Sequence, residues 1–430
     1  MSTALLTDRY ELTMIDAALG SGTADRECVF EVFARRLPEG RRYGVVAGTG
    51  RLLELITEFR FGDAELGWLR DNNVVSSAAL DWLAAYRFGG DIRGYREGEA
   101  YFPGSPILTV DGSFAEAVIL ETLVLSVLNY DTAVASAASR MVSAAGGRPL
   151  SEMGSRRANE QAAIAAARAA FIAGFGATSN LAAGSRWGIP TMGTAAHSFT
   201  LLHDSEEEAF RAQVASLGFG TTLLVDTYDI EKGVALAVKV AGPQLGAVRI
   251  DSGDLPTVVA EVRAQLDSLG ATATRITVTN DLDEYTIAGL GSAPVDAYGV
   301  GTSVVTGSGH PAAGFVYKLV AHRDDAGQWI SVAKSSTAKA TVGGRKIPVR
   351  TLEAGRAVAE TIHVEEPADD STGSRPLHVP LATAGIPDAR YLGAEGTALA
   401  RDHRAASLAE LPLDAMRLSR GEPAIPTVYL

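Results

Sequence analysis

Beyond residue 113 the chain repeats one pattern. A short apolar stretch ends in small or ionisable residues and is followed by a longer amphipathic stretch rich in alanine, with a period of roughly 20 to 30 residues. Alternation of this kind predicts βα units around a parallel sheet. The apolar stretches are PLSEMG, ATSNLAA, IPTMGT, TLLVDTY, AVRIDSG, ITVTND and AYGVGT, and the helical ones include RANEQAAIAAARAAFIAG, SEEEAFRAQVASLGFG and PTVVAEVRAQLDSLGA. They predict an α/β fold built as an irregular (β/α) barrel of about seven strands. Just upstream, SFAEAVILETLVLSVLNYDT and TAVASAASRMVSAAGG read as helices.

The start of the chain has a different texture. Asp8 ahead of Glu11, with a helix-compatible run to Leu19 and then Gly20, predicts a helix with an N-cap acid, a capping-box glutamate and a terminal glycine. CVFEVFARRLPEG reads as a strand running into a turn, and EGEAYFPGSPILTVDG as two short strands around Pro-Gly. The expected organisation is an N-terminal α+β segment (1–115), the barrel (116–330) and a C-terminal segment (331–430) of strands and proline-rich turns. The last segment packs back on the first, so that both chain ends make one α+β domain.

Polarity falls where barrel chemistry needs it. The strand ends carry Arg156, then Ser179 with Asn180, His197, Asp226, Asp251 with Asp254, Asn280 with Asp281, and the turn Gly299, Gly301, Thr302. In a (β/α) barrel all carboxyl strand ends meet at one mouth, where such folds keep their sites. A lone histidine is more often a structural residue than a reactive one. Its place on this rim raises His197 to a candidate.

Composition narrows the classes. Of 430 residues 47% are hydrophobic and 21% charged, an ordinary globular balance. With 38 basic against 51 acidic residues the formal charge is −13, which opposes general nucleic-acid binding but leaves room for a small anionic ligand on a local arginine cluster. Cys28 is the single cysteine, too few for a disulfide framework or a thiolate metal site, and it favours a reducing compartment, the cytoplasm. No apolar run approaches the roughly 20 residues of a membrane span, and MSTALLTDRYELTM lacks the features of a signal peptide.

Several stretches carry candidate chemistry, each beside a bland reading. In AVRIDSGDL, Arg249, Asp251 and Asp254 suit an anionic ring substituent, a ribose diol and a divalent cation, yet Asp-Ser-Gly-Asp is equally ordinary turn chemistry. AYGVGTSVVTGSG is a glycine turn after a late strand, a place for phosphate, although it matches neither a Walker loop nor a dinucleotide fingerprint. Arg156 and Arg157 in EMGSRRA sit at a strand-to-helix junction that favours anions. VAKSSTAKATVGGRKIPVR, with Lys334, Lys339, Arg345, Lys346 and Arg350, reads as a solvated basic hairpin or as an anion contact. Zinc-protease, Cys-x-x-Cys and Gly-x-Ser-x-Gly motifs are absent.

LLTDRYELTM, EMGSRRA, GATSNLAAG, GTAAHSF, VDTYD, RIDSGDL, TNDLDE and GVGTSVVTG occur in this order, and together the chain resembles the nicotinate phosphoribosyltransferase family over essentially its full length. The resemblance implies a type II phosphoribosyltransferase fold and a homodimer whose sites lie at the subunit boundary. It implies formation of nicotinate mononucleotide and pyrophosphate from nicotinate and phosphoribosyl pyrophosphate in NAD salvage, with Mg²⁺ and with ATP as co-substrate. His197 would be transiently phosphorylated by ATP. Tyr10 would stack on the pyridine ring from the partner subunit, and Met153 stands where many relatives carry an aromatic. Arg156 and Arg249 would grip the carboxylate and a phosphate, Asp251 the ribose hydroxyls, and Gly299, Gly301 and Thr302 the 5-phosphate. Lys318, Lys334 or Lys339 would meet pyrophosphate, Thr178, Asp254 and Asn280 complete the binding set, and Asp251 or Asp254 would reach the metal through water. At Ser179 nicotinamide-using relatives have an aspartate, so a neutral serine favours the acid. The alternatives are a nicotinamide-using transferase of the same fold, a catalytically silent nucleotide-binding protein, and an unrelated phosphate-binding barrel.

Overall fold

Six of the expected barrel strands form a wholly parallel sheet in the computed structural model, which describes residues 3–334, 341–365 and 373–430. In spatial order they are Ala177–Thr178, Leu150–Glu152, Ala297–Val300, Arg275–Val278, Ala247–Ile250 and Thr222–Leu224. The last strand in sequence therefore lies beside the first, through Tyr298 to Leu150 and Val300 to Glu152, and the sheet curls on itself. The seventh stretch, IPTMGT, contributes one parallel bridge, Thr191 to Thr178. Among the described residues no ladder joins it to Thr222–Leu224, so the ring of seven strand positions stays open there.

The strands are short and apolar because helices cover them: Val248, Ile250, Ile276, Val278 and Val300 are fully buried. Much of the polarity at their ends caps the helices that follow. Asn180 accepts from Ala183 N–H at 2.9 Å, Asp229 from Lys232 N–H at 2.9 Å, and Asp283 from Thr286 N–H at 2.7 Å. Side chains without a capping duty are left for the cleft.

The chain divides into two units, Met1–Ser136 with His310–Leu430, and Ala137–Gly309. The division expected from sequence fell instead at 115/116 and 330/331. In the first unit, a seven-stranded sheet interleaves both chain ends in the order Trp329–Ser331, Phe315–Arg323, Glu27–Ala34, Pro106–Ser113, Asp91–Tyr95, His378–Thr383, Ile386–Pro387. Phe30 and Tyr317 stack across it with ring centroids 4.9 Å apart.

Local expectations needed correction at four places. The first helix is Arg9–Ser21 and ends on Gly22, whose φ of 72° suits glycine, not on Gly20. Glu11 closes no capping box. It is fully buried and accepts from the Thr122 N–H at 2.9 Å and from the Thr7 and Thr122 hydroxyls, and burial pushes its carboxyl up to about 7. The two helices read from SFAEAV to SAAGG are a short helix, Phe114–Val118, and one long helix, Glu121–Ala145. Their combined span is long and apolar enough to cross a membrane, contrary to expectation, but 67% of its most apolar window is buried in protein, as in a core helix. Finally, the basic hairpin is not merely solvated. Lys346 Nζ is buried 2.7 Å from Glu31, and Arg350 is buried 2.6 Å from Glu360.

Candidate active site

A cleft of about 470 Å³ opens at the carboxyl ends of the barrel strands, within the Ala137–Gly309 unit. His197, Arg249, Asp251, Met153, Arg156, Ser179, Asn280, Gly299, Gly301 and Thr302 all line it. Residues from six strand ends thus converge on one cleft, although they span 150 positions of sequence.

His197 begins the helix His197–Leu202, and its side chain is 42% exposed. Its Nδ1 lies 3.1 Å from the Thr227 hydroxyl, and its Nε2 is 4.0 Å from both Asp226 Oδ1 and Asp251 Oδ2. Asp226 is held from behind: Oδ2 accepts from the Asp251 N–H at 2.8 Å and from the Ser252 hydroxyl at 2.7 Å. Oδ1 of the same carboxylate is buried and makes no hydrogen bond. A buried, unpaired carboxylate oxygen is costly unless a cation comes to it. The imidazole is the group it faces.

Arg249 leaves the strand Ala247–Ile250 and works as a brace. Its Nε donates to Thr279 Oγ1 at 2.9 Å, and its Nη1 donates to Thr194 Oγ1 at 3.1 Å and to the Ala195 carbonyl at 3.3 Å. Its Nη2 lies 3.4 Å from Asp251 Oδ2. Thr279 donates its own hydroxyl in a hydrogen bond to Asp251 Oδ1, so arginine, threonine and aspartate form one network. Arg156 and Arg157, by contrast, are exposed, and neither guanidinium has an acidic partner among the described residues. Two uncommitted cations on the rim of an acidic protein make an anion site.

The glycines shape the opposite wall. A Cβ at Gly299 would lie 2.7 Å from both Met153 Sδ and Thr279 Cγ2, and one at Gly154 would lie 2.2 Å from Val305. Met153 therefore packs its thioether directly over Gly299. The strand end Glu152 is buried, its carboxyl raised by desolvation, and it accepts from Thr178 Oγ1 at 2.6 Å.

That bond places Thr178 behind the wall, fully buried, rather than on the cleft surface. Asp254 stands exposed at the start of Leu255–Ser268 and accepts from Thr257 Oγ1 at 2.6 Å, outside the cleft lining. Tyr10 and Lys318 belong to the first unit, where they meet at Glu121. The Tyr10 phenol is pushed up by burial and by the charges of Glu121 and Glu11, while Lys318 Nζ lies 3.7 Å from Glu121. Burial in turn raises Glu121. Lys334 is exposed and its N–H donates to Thr341 Oγ1, and Lys339 lies outside the described residues. The site adds residues that the resemblance did not supply: Thr227, which meets His197 outside the cleft lining, Thr194, Thr279, Arg157, Asp226, which also faces His197 from outside the lining, and Asp281. The last three stood at strand ends in the sequence. The threonines had no signal, because threonine is an ordinary strand residue.

No group of three or more His, Cys, Asp or Glu side chains is placed to hold a metal among the described residues. Asp251 is nonetheless a hard carboxylate donor on the lining of the cleft. Such a donor suits a magnesium ion that keeps most of its ligands as water and phosphate.

An α/β-barrel enzyme for phosphorylated, anionic substrates is the class that this fold and rim define. The chain belongs to the nicotinate phosphoribosyltransferase family. Residues 5–129 match the nicotinate phosphoribosyltransferase N-terminal domain. The chain is 57% identical over 433 residues to nicotinate phosphoribosyltransferase pncB1 of Mycobacterium tuberculosis, covering 98% of this chain and 94% of that protein. It is 36% identical to the nicotinate phosphoribosyltransferase of Bacillus subtilis over 88% of this chain and 79% of that one. The crystal structure of human nicotinic acid phosphoribosyltransferase superposes with a TM-score of 0.83 at 25% identity, covering 99% of this chain and 97% of the other. The chain is thus an enzyme of the nicotinate phosphoribosyltransferase type, serving NAD salvage, and the readings as a silent binding protein or an unrelated barrel are set aside.

Proposed function

We propose that the enzyme transfers the phosphoribosyl group of phosphoribosyl pyrophosphate to the ring nitrogen of nicotinate, releasing pyrophosphate, and couples this to ATP hydrolysis through phosphorylation of His197. The observation that carries the reading is His197 set between Asp226 and Asp251 in a cleft that also holds two uncommitted arginines. Imidazole is a competent nitrogen nucleophile near neutral pH, and two carboxylates beside it stabilise the positive ring that forms on phosphorylation.

Transfer to nicotinate itself needs no protein nucleophile. It needs alignment of the reactants and compensation of charge. Arg156 and Arg157 supply cations for phosphate and carboxylate, and Gly299, Gly301 and Thr302 allow close approach of the 5-phosphate. Asp251, held by Thr279, faces the ribose, and the neutral Ser179 tolerates the carboxylate of nicotinate. Asn280 completes the ribose side. Asp251, through water, would hold Mg²⁺, which when bound neutralises the departing pyrophosphate. Tyr10 of a second copy would stack on the pyridine ring of a homodimer, with Lys318, Lys334 or Lys339 toward pyrophosphate. Cytoplasmic residence fits the single, buried Cys28.

The test is formation of nicotinate mononucleotide from nicotinate, phosphoribosyl pyrophosphate and Mg²⁺, with and without ATP. The reading expects stimulation by ATP and an acid-labile, base-stable label from γ-labelled ATP. Equal labelling of His197→Ala would refute the phosphohistidine, and preference for nicotinamide would refute the role of Ser179.

A further inference from the structure

Glu152 ends the strand Leu150–Glu152 with a side chain that is fully buried and meets no cation among the described residues. Burying a carboxyl without a counter-ion is costly. What it holds lies on both sides. Oε2 accepts from the Thr178 hydroxyl at 2.6 Å, and Oε1 accepts from the Gly154 N–H. The Thr178 oxygen accepts in turn from the Asn180 N–H at 3.0 Å, and Asn180 Nδ2 donates to Ser155 Oγ, also at 3.0 Å. The backbone runs the same way, with the Glu152 carbonyl accepting from the Ser179 N–H at 2.8 Å. One carboxyl therefore ties the turn after its own strand to the end of the neighbouring strand, Ala177–Thr178.

Both tied segments line the cleft. The turn carries Met153, Arg156 and Arg157 and closes through the Arg157 N–H, which donates to the Gly154 carbonyl at 2.8 Å, while the strand end carries Ser179. The turn has no slack: a Cβ on Gly154 would lie 2.2 Å from Val305 Cγ1 and 2.9 Å from Glu152 Oε1. We propose that Glu152 is a positioning residue for the acid substrate: its buried carboxyl locks the arginine turn 153–157 against Ser179 and Asn180, and so fixes where Arg156, Arg157 and Ser179 meet the carboxylate of nicotinate. The inference rests on the reading of this cleft as the nicotinate site. Glu152 lies outside the cleft lining and acts only through the side chains that its bonds set in register. Those side chains hold the carboxylate, away from the ring nitrogen that reacts. Slackening the turn thus weakens nicotinate as much before the transition state as in it, and the loss falls on KM while kcat is spared.

Thr178→Val keeps the side-chain shape and removes the hydroxyl that joins the two segments, Thr178→Ser keeps the hydroxyl, and Glu152→Leu removes the carboxyl. With phosphoribosyl pyrophosphate and ATP saturating, KM for nicotinate should rise about tenfold in Thr178→Val, the equivalent of one lost hydrogen bond, and at least as much in Glu152→Leu. In both, kcat should stay within about twofold of the wild type, and Thr178→Ser should keep the wild-type KM. A merely structural role would lower the amount of active enzyme, and with it kcat, at unchanged KM. Hydrogen exchange of the unliganded enzyme reads the lock without turnover. The amides of residues 153–157 should exchange about tenfold faster in Thr178→Val, although the substitution lies on another strand. An unchanged KM for nicotinate in Thr178→Val, a loss confined to kcat, or unchanged exchange at 153–157 overturns the proposal. Because Thr178→Val leaves Glu152 in place, the test stands even if Glu152→Leu does not fold. If the wild type forms no nicotinate mononucleotide, the substrate reading fails, and the exchange result alone decides whether Glu152 holds the turn.

Discussion

Asp226→Asn tests the electrostatics of the cleft with a change of a single atom. The carboxylate oxygen that faces His197 Nε2 lies 4.0 Å away, with the aspartate side chain 1% exposed and the histidine 42% exposed. Unit charges at that distance attract by about 1 kcal/mol in water and about 4 kcal/mol at the effective dielectric of a protein surface. A pair with one buried and one half-exposed member falls between, at about 2 kcal/mol. The attraction is realised only when the ring becomes cationic, so its loss slows phosphorylation by about thirtyfold. The amide also has a forced orientation. Its oxygen must replace Oδ2 to keep the bonds from the Asp251 N–H and the Ser252 hydroxyl, which turns its NH₂ toward the histidine. Those retained bonds predict a nearly wild-type melting temperature. Single-turnover labelling of His197 from γ-labelled ATP is the assay. Labelling within about twofold of wild type, in a folded protein, would show that the charge of Asp226 is not felt at His197.

Three further perturbations follow from other parts of the structure. Gly299→Ala places a Cβ 2.7 Å from Met153 Sδ and Thr279 Cγ2. Overpacking of about 1 to 3 kcal/mol should lower kcat/KM for phosphoribosyl pyrophosphate by about tenfold or more, with partial recovery in Gly299→Ala/Met153→Ala; an unchanged kcat/KM would contradict this wall. Glu11 is raised by burial from 4.5 to about 7, so the folded state binds more protons than the unfolded state between those values. Its contribution to stability is complete below about 4.5 and is lost as pH rises through about 7. Relative to Glu11→Gln, the wild-type urea midpoint should therefore decline across that window, and parallel curves would refute the assignment. Ser179→Asp puts a carboxylate against the bound acid and should lower the preference for nicotinate over nicotinamide by about tenfold or more. An unaltered ratio of kcat/KM values would remove Ser179 from the specificity argument.

The barrel was legible because its signal is repeated. Each unit shows the same change from apolar to polar residues, and burial on both faces enforces it. The rim followed from that phase alone, which is why His197 and Gly299, far apart in sequence, were both expected at one mouth. What depended on distant partners was not legible. Glu11 looked like a cap because its spacing from Asp8 is right, but Thr122, over a hundred positions away, claims its carboxylate. Lys346 and Arg350 looked solvated because no local acid faces them, whereas their partners Glu31 and Glu360 come from other strands. Thr178 shared the rim pattern but spends its hydroxyl on Glu152, since a strand end has two faces and only one meets the cleft.

The place where the barrel fails to close is the place that carries His197. After the single bridge at Thr191 the chain leaves the ladder, and the next polar groups, the Thr194 hydroxyl and the Ala195 carbonyl, are taken up by Arg249 instead of by a neighbouring strand. A complete seventh strand would spend the Ala195 carbonyl on backbone pairing and fix the following residues independently of the cleft. With the ladder broken, the segment leading into His197 is held by a guanidinium that also reaches Asp251 and Thr279. The support of the imidazole and the lining of the cleft are therefore the same atoms. Arg249 thus joins the wall of the cleft to the segment that leads into His197.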